Sequence, residues 1–294
     1  MAVVGIIGVG SMGLGMALRL LDRGHAVRVR DIDPARERLA QARGASVHAD
    51  AAAVARGSDA LIVAVVDAAQ TRQVLLGNAG ALQGLARGAA VLLCPTIAPQ
   101  DVEALAAALA RCGVDAIDAP MSGGPQRARD GSMSLMVACD EEVYRRWQGL
   151  LADLSSQLFH VGTQPGAGAR TKLVNNLLAA INLAGAAEAL ALAQRVGLDP
   201  AATLAVIEAS SGQSWIGSER LRRALSGDPA VGAQLALLAK DSTLALALAL
   251  ARSASVEVPM GRAAQNLFAA ACAQGLARHD DSVLWRWLAD HDSG

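Results

Sequence analysis

Apolar residues in the first half of the chain fall into short runs separated by stretches of helical length. Val3–Ile7 is a five-residue apolar strand, followed by a glycine-rich turn and a helix to about Asp22. Ala26–Arg30 (Ala-Val-Arg-Val-Arg) alternates apolar and polar positions and reads as a second strand. Pro34 at a first-turn position and the segment 36–43 predict the next helix. Residues 61–66 and 89–93 are continuous apolar runs of strand length, as expected for a parallel sheet covered on both faces. Residues 116–119 and 134–137 read as further strands. Strand and helix therefore alternate, which predicts an α/β domain built on a doubly wound parallel sheet.

The pattern changes after about Gly168. Residues 169–196 form a near-continuous helical stretch closed by Gly197, and Asp199-Pro200 then supplies an N-cap and a first-turn proline. Further helical periodicity covers 201–209, 217–225, 233–254 and 260–276. The second half is predicted to be all-α. The 162–168 turn region separates the two patterns, giving domains 1–163 and 164–294. No repeat of fixed period and no low-complexity linker interrupts them.

Composition narrows the functional classes. The 294 residues are 53% hydrophobic and 18% charged, the balance of a folded chain long enough for two cores. A formal net charge of -1 offers no basic footprint, so neither nucleic acid nor a membrane surface is expected as a partner. Cys94, Cys112, Cys139 and Cys272 are scattered, without metal-ligand spacing. They are expected to be small core residues of a reducing compartment, with no metal site. The N-terminus lacks a basic region and is broken by Gly5, Gly8, Gly10, Gly13 and Gly15, unlike a signal peptide. The Leu/Ala run at 244–251 is too short to span a bilayer. A cytoplasmic location follows as the expectation.

Gly8-Val9-Gly10-Ser11-Met12-Gly13 fits G-x-G-x-x-G in the required place, after an apolar strand and at the start of a helix. Gly8 serves the tight turn, Gly10 lets the backbone approach a pyrophosphate, and Gly13 permits close helix–strand packing. The helix start at Ser11 and Met12 offers free N–H groups to phosphate. The N-terminal domain thus reads as a Rossmann dinucleotide-binding domain. Asp31 lies 18 residues after Gly13 at the end of the second strand, where a carboxylate accepts the ribose hydroxyls of NAD and repels the 2′-phosphate of NADP. Arg30 and Arg28 stand beside it, and either can reach a phosphate. NAD is the expected cofactor, with NADP the alternative. The loops after later strands should line the cofactor crevice and carry Val66 and Thr96; Thr96 can equally cap the helix begun by Pro99-Gln100-Asp101.

Of 26 basic residues only Lys172 and Lys240 are lysines. Guanidinium does not deprotonate in a protein, so a site that moves a proton near neutral pH cannot replace lysine by arginine. Lys172 shares a helix side with Asn175 and Asn176, three and four residues on. Asp118-Ala119-Pro120-Met121-Ser122-Gly123-Gly124 ends in paired glycines; it reads either as a simple turn or as an anion-holding nest with the Ser122 hydroxyl as an extra donor.

Four motifs, the opening one with Ser11-Met12-Gly13, the 118–124 segment, Lys172 through Asn176, and Lys240-Asp241, resemble the β-hydroxyacid dehydrogenases, and the likeness runs through essentially the whole chain. The resemblance implies a Rossmann domain, a helical C-terminal domain, an active site between them and a homo-oligomer, dimer or tetramer. It implies Lys172 as the catalytic acid/base, Ser122, Gly123 and Gly124 on the substrate carboxylate, and Asn175 and Asn176 orienting the substrate. Thr96 and Lys240 would contact the cofactor. Lys240 is also the candidate cation beside Lys172, and Asp241 either holds Lys240 or is a surface acid. Substrates of the L-threonate, glycerate/tartronate semialdehyde or 3-hydroxyisobutyrate class are implied. Asp67-Ala68-Ala69-Gln70, Ser214-Trp215 and Asp280-Asp281-Ser282 resemble the threonate branch. Asn175-Asn176 instead fits the hydroxyisobutyrate and tartronate types, and Cys94-Pro95 replaces the usual small polar pair before Thr96. Trp215 is open to two roles, closing the pocket or packing in the core. The alternatives are an NADP-dependent semialdehyde reductase, an imine reductase, whose family resembles this one but lacks a lysine at the Lys172 position, or a non-catalytic dinucleotide-binding member.

Overall fold

A computed structural model describes residues 1–227, 231–250 and 254–290. The chain divides into two compact units, the first ending at Lys172 and the second beginning at Leu173.

In the first unit the strands are β1 (Val3–Ile7), β2 (Ala26–Arg30), β3 (Ser46–Val47), β4 (Ala60–Val63), β5 (Ala90–Leu93), β6 (Asp115–Asp118), β7 (Met121–Ser122), β8 (Ser134–Ala138) and β9 (Gln157–Gly162). The helices between them are α1 (Ser11–Asp22), α2 (Pro34–Gln41), α3 (Ala51–Ala55), α4 (Ala68–Leu76), α5 (Pro99–Arg111), α6 (Gly124–Asp130) and α7 (Glu141–Leu154). One sheet runs in the order β3-β2-β1-β4-β5-β6-β8-β7, with β9 on β8. β3 through β6 are parallel. Beyond this parallel part of the sheet, β8 runs antiparallel to β6 and β7. The short return through Met121–Ser122 has no crossover helix long enough to restore a parallel strand.

The apolar runs are strands buried on both faces. Ile6, Ile62, Leu92 and Ile117 pack on one face with Met16 and Leu20 of α1 and Leu151 of α7. Ile7, Leu61, Val63, Val91 and Leu93 pack on the other with Val102, Leu105 and Leu109 of α5. β4 stops at Val63 rather than Val66, and Val66 is exposed. The order of β2, β1 and β4 reverses at β1, which opens a crevice at the carboxyl ends of β1 and β4. β3, β7 and β9 escape sequence reading because two of them are two-residue edge strands and β9 mixes polar and apolar positions.

The second unit, within the described residues, is helical: α8 (Ala167–Arg195, begun in the first unit), α9 (Pro200–Glu208), α10 (Trp215–Ser226), α11 (Leu235–Leu250), α12 (Pro259–Ala273) and α13 (Val283–Asp290). Asp199 caps α9 by accepting the Ala202 N–H at 2.8 Å, with Pro200 at the first turn. The end of the helix expected over 233–254 lies partly outside the described residues. Leu183, Ala187, Leu204, Leu221, Phe268, Leu284 and Trp285 form the core. Only Cys94 and Cys139 are buried; Cys112 is exposed, correcting the expectation that all four are core residues.

Candidate functional site

The glycine turn is shaped by what its backbone leaves no room for. Gly8 sits at φ +90, and a Cβ there would lie 2.7 Å from the Ala64 carbonyl oxygen. A Cβ on Gly13 would lie 1.9 Å from the Gly8 carbonyl oxygen, so helix α1 can pack this close only with glycine. Gly10 differs: a Cβ there meets nothing within 4 Å and would project into open space. α1 then opens at Ser11 with Gly10 as its N-cap and no side-chain cap. Its first-turn N–H groups are therefore not taken by a capping side chain, which is the setting that receives phosphate oxygens. This cradle fits the pyrophosphate of a dinucleotide.

Asp31 follows β2 directly. Its Oδ2 accepts the Val9 N–H at 2.6 Å and its Oδ1 the Asp33 N–H at 2.9 Å, so the carboxylate is fixed against the glycine turn. Each carboxylate oxygen retains acceptor capacity for a ribose hydroxyl. The neighbouring arginines are both engaged within the protein. Arg28 donates to the Arg56 carbonyl. Arg30 donates to the Asp31 carbonyl and pairs with Glu37 at 2.6 Å.

Asp67 caps α4 by accepting the Gln70 N–H at 2.8 Å, and the Gln70 side chain accepts the Val66 N–H at 3.1 Å. The Asp67–Gln70 motif is thus a reciprocal helix cap that fixes the loop carrying Val66. α5 begins at Pro99, with Ala98 as its N-cap.

The turn after β6 carries two consecutive left-handed glycines, Gly123 at φ +127 and Gly124 at φ +80. Ser122 pairs with Ser134 across the β7–β8 edge. Asp118, at the end of β6, is 1% exposed. Its Oδ2 accepts N–H groups of Gly166 at 2.8 Å and Ala169 at 3.0 Å, tying the start of α8 to the sheet. A Cβ on Gly168 would come 2.9 Å from the Asp118 carboxyl carbon, so the helix start needs glycine there. Burial pushes the Asp118 carboxyl up to about 6, against the opposing pull of the Ala169, Gly166 and Gly168 N–H groups and Arg170.

Lys172 stands one turn into α8 and is 7% exposed. Asn176, one turn further, is also buried, whereas Asn175 is exposed; the three do not share one environment. Asn175 is tied to the inner residue, its Nδ2 donating to Asn176 Oδ1 at 3.0 Å. Asn176 Nδ2 donates to Asp241 Oδ2 at 2.6 Å, and Lys240 Nζ pairs with Asp241 Oδ1 at 2.8 Å. Asp241 is buried, which excludes the surface-acid reading. One carboxylate therefore fixes the Asn176 amide orientation and holds Lys240.

Residues 3–162 match the NAD binding domain of 6-phosphogluconate dehydrogenase, and residues 166–288 match the NAD-binding domain of NADP-dependent 3-hydroxyisobutyrate dehydrogenase. L-threonate dehydrogenase of Escherichia coli K12 is 35% identical, the alignment covering 96% of this chain and 93% of that protein. 3-Hydroxyisobutyrate dehydrogenase of Pseudomonas aeruginosa is 35% identical over 94% of both. The chain belongs to the β-hydroxyacid dehydrogenase family. A crystal structure described as 3-hydroxyisobutyrate dehydrogenase from Salmonella typhimurium superposes with a TM-score of 0.91 at 33% identity, covering 98% of this chain and 100% of that one.

Within this β-hydroxyacid dehydrogenase, several motifs prove to be structural. Asp280 pairs with Arg223 at 2.6 Å and accepts the Gly232 and Ser282 N–H groups, while Asp281 pairs with Arg220 at 2.6 Å. Ser214 caps α10 by accepting the Gly217 N–H at 3.1 Å. Trp215 is 52% exposed, so the core-packing reading does not hold. Sequence reading missed what Asp118 and Glu37 do. Asp118 sat in a recognised segment, and the small residues at 166–169 that it caps were its available signal. Glu37 looks like an ordinary first-turn acid, and only the fold brings it to Arg30 and Asp31.

Proposed function

We propose that this chain oxidises a small hydroxy acid with NAD, using Lys172 as the general acid/base. The observation that carries the reading is a lysine buried one helical turn from a buried, oriented asparagine, in a chain with only one other lysine, Lys240, among its 26 basic residues. Gly8, Gly10, Ser11, Met12 and Gly13 hold the pyrophosphate, Asp31 the adenosine ribose, and Val66, Thr96 and Lys240 border the rest of the cofactor. Ser122 with the N–H groups of Gly123 and Gly124 takes the substrate carboxylate. Asn176, steadied by Asp241 and Asn175, orients the hydroxyl.

A nicotinamide held by these residues would supply the acceptor for the hydride leaving the hydroxyl-bearing carbon. Lys172 Nζ accepts the hydroxyl proton in the oxidation and returns it to the carbonyl oxygen in the reverse direction. An arginine at this position has no neutral form to do this. NAD over NADP rests on the fixed Asp31 carboxylate and on Arg28 and Arg30 being engaged elsewhere.

The domains follow as 1–163 for the dinucleotide and 164–294 for substrate and assembly. Val174, Leu178 and Leu192 of α8, with Val196 just past its end, are exposed apolar residues, which supports a homo-oligomer. α8 is long and apolar enough to cross a membrane by length and composition. Its Leu183, Ala187 and Leu190 sit in a protein core, which supports a packed helix of a cytoplasmic enzyme.

The substrate reading is tested by incubating the protein with NAD or NADP and L-threonate, glycerate, 3-hydroxyisobutyrate or serine. NADH formation with at least one hydroxy acid, and lower kcat/KM with NADP, is the expected result. No reduction of either nucleotide with any of them sinks the reading.

A further inference from the structure

Arg30 ends β2 at the edge where the ribose of a dinucleotide lies, and its side chain is 34% exposed. A guanidinium at this edge is the group that grips the 2′-phosphate of NADP. Its presence beside Asp31 therefore sets two opposite preferences in adjacent residues. A third residue, Glu37, contacts both of them.

Glu37 lies in the first turn of α2 and is 8% exposed. Its Oε1 accepts from Arg30 Nη1 at 2.6 Å and from the backbone N–H of Asp31 at 3.0 Å. The same oxygen thus fixes the guanidinium and the main chain of the acid. α2 is itself set in place, with Asp33 accepting the Ala35 N–H at 2.8 Å and Pro34 in the first turn. Asp33 also donates its N–H to Asp31 Oδ1. Burial pushes the Glu37 carboxyl up, but the Asp31 N–H and Arg30 outweigh it and hold it below the usual carboxylate range; Asp33 adds a small upward push. Glu37 is therefore ionised at neutral pH and competes for the Arg30 guanidinium with any incoming phosphate.

We infer that Glu37 is a specificity-determining positioning residue: it holds Arg30 off the ribose 2′ position, so that the site selects nucleotides lacking a 2′-phosphate. The inference rests on the reading that the glycine turn and Asp31 hold a dinucleotide. With Glu37 ionised, a 2′-phosphate must displace a buried carboxylate from Arg30 and also face Asp31. Without that charge, Arg30 is free to turn towards the phosphate.

The test measures equilibrium binding of NADPH and NADH by their fluorescence, with 2′,5′-ADP and 5′-AMP as competitors, in wild type and Glu37→Gln. Glutamine keeps the size and the acceptor for the Asp31 N–H while removing the charge. The expected result is a rise of about tenfold in the affinity for NADPH relative to NADH, with 2′,5′-ADP gaining in parallel over 5′-AMP. In the Glu37→Gln/Arg30→Gln double variant the gain disappears. An unchanged ratio in Glu37→Gln, or a gain that survives the loss of Arg30, overturns the inference.

Should Glu37→Gln fail to fold, Arg30→Gln alone decides. An Arg30 held away leaves the wild-type ratio within about twofold, and a large fall in relative NADPH affinity overturns the inference. A wild type that prefers NADPH overturns the inference, since the site then does not select against the 2′-phosphate, while the reading that the glycine turn and Asp31 hold a dinucleotide stands. A protein that binds neither nucleotide overturns both.

Discussion

The glycine turn after β1 and the polar cluster around α8 are built on opposite principles. In the turn, the geometry is secured by atoms that are missing. Gly13 has 1.9 Å where a Cβ would need contact distance, and Gly10 leaves open space on the other side. Around α8, the geometry is secured by side chains that hold one another: Asp118 grips the helix start, and Asp241 joins Asn176 to Lys240. A constraint of the first kind is absolute and local in sequence. One of the second kind is distributed, and each member can be weakened without destroying the whole.

The largest effect is expected where the constraint is absolute. Gly13→Ala forces α1 away from the Gly8 carbonyl, an overpacking strain of about 1–3 kcal/mol. NADH affinity should fall by about a hundredfold or more, read by fluorescence titration, because the phosphate-facing N–H groups move with the helix. Retained NADH affinity in this variant would break the comparison.

The distributed network should give a smaller loss. Asp241→Asn removes the charge that pairs with Lys240 but keeps an acceptor for Asn176. A fall of about tenfold in kcat/KM, with NADH affinity changed less than this, is the expected outcome. Steady-state kinetics beside the binding titration separates the two. Gly10→Ala places a methyl in open space, so thermal stability should stay within about 0.5 kcal/mol of wild type. Its NADH affinity should still fall several-fold, since that space is where the pyrophosphate approaches; an unaffected affinity would move the pyrophosphate elsewhere.

The smallest effect concerns pH. The Asp118 carboxyl is raised to about 6 in the fold from an unfolded value near 3.8. The folded state therefore binds the proton more tightly, and stability from this group is full below about pH 4 and is lost as pH rises through 6. Asp118→Asn removes that titration. The stability of wild type relative to this variant, from urea unfolding, should decline between about pH 4 and 6.5 by on the order of 1–2 kcal/mol. A flat difference would mean that the buried carboxyl does not titrate there.

The same contrast explains what was legible in the sequence. Gly8, Gly10 and Gly13 sit within six residues, and their roles follow from backbone geometry, so spacing revealed them. Val3–Ile7 and Ala26–Arg30 were read to the residue because strand burial is written directly in apolar periodicity. Lys172 was conspicuous by residue type in an arginine-rich chain. The partners of these residues were hidden. Asp118 meets Gly166 across 48 positions and Asn176 meets Asp241 across 65, and no periodicity links such pairs. Glu37 was close in sequence but carried no mark of its own, since a first-turn acid has a sufficient reason in the helix dipole. The antiparallel return of β8 was equally invisible, because two-residue β7 has no pattern to read. Asn175 and Asn176 looked equivalent by helical spacing, yet one faces solvent and the other lies buried.

The central claim is that Lys172 carries the substrate's proton, and Lys172→Met tests it most directly. The measurement is the pH dependence of kcat/KM for NAD-linked oxidation of the best hydroxy acid, alongside NADH affinity. Wild type should show a rate that climbs with pH as the base is freed. Lys172→Met should lose about a thousandfold in kcat/KM and this dependence, while binding NADH within about twofold of wild type. A variant that keeps its turnover within about tenfold, with the same pH limb, would contradict the account.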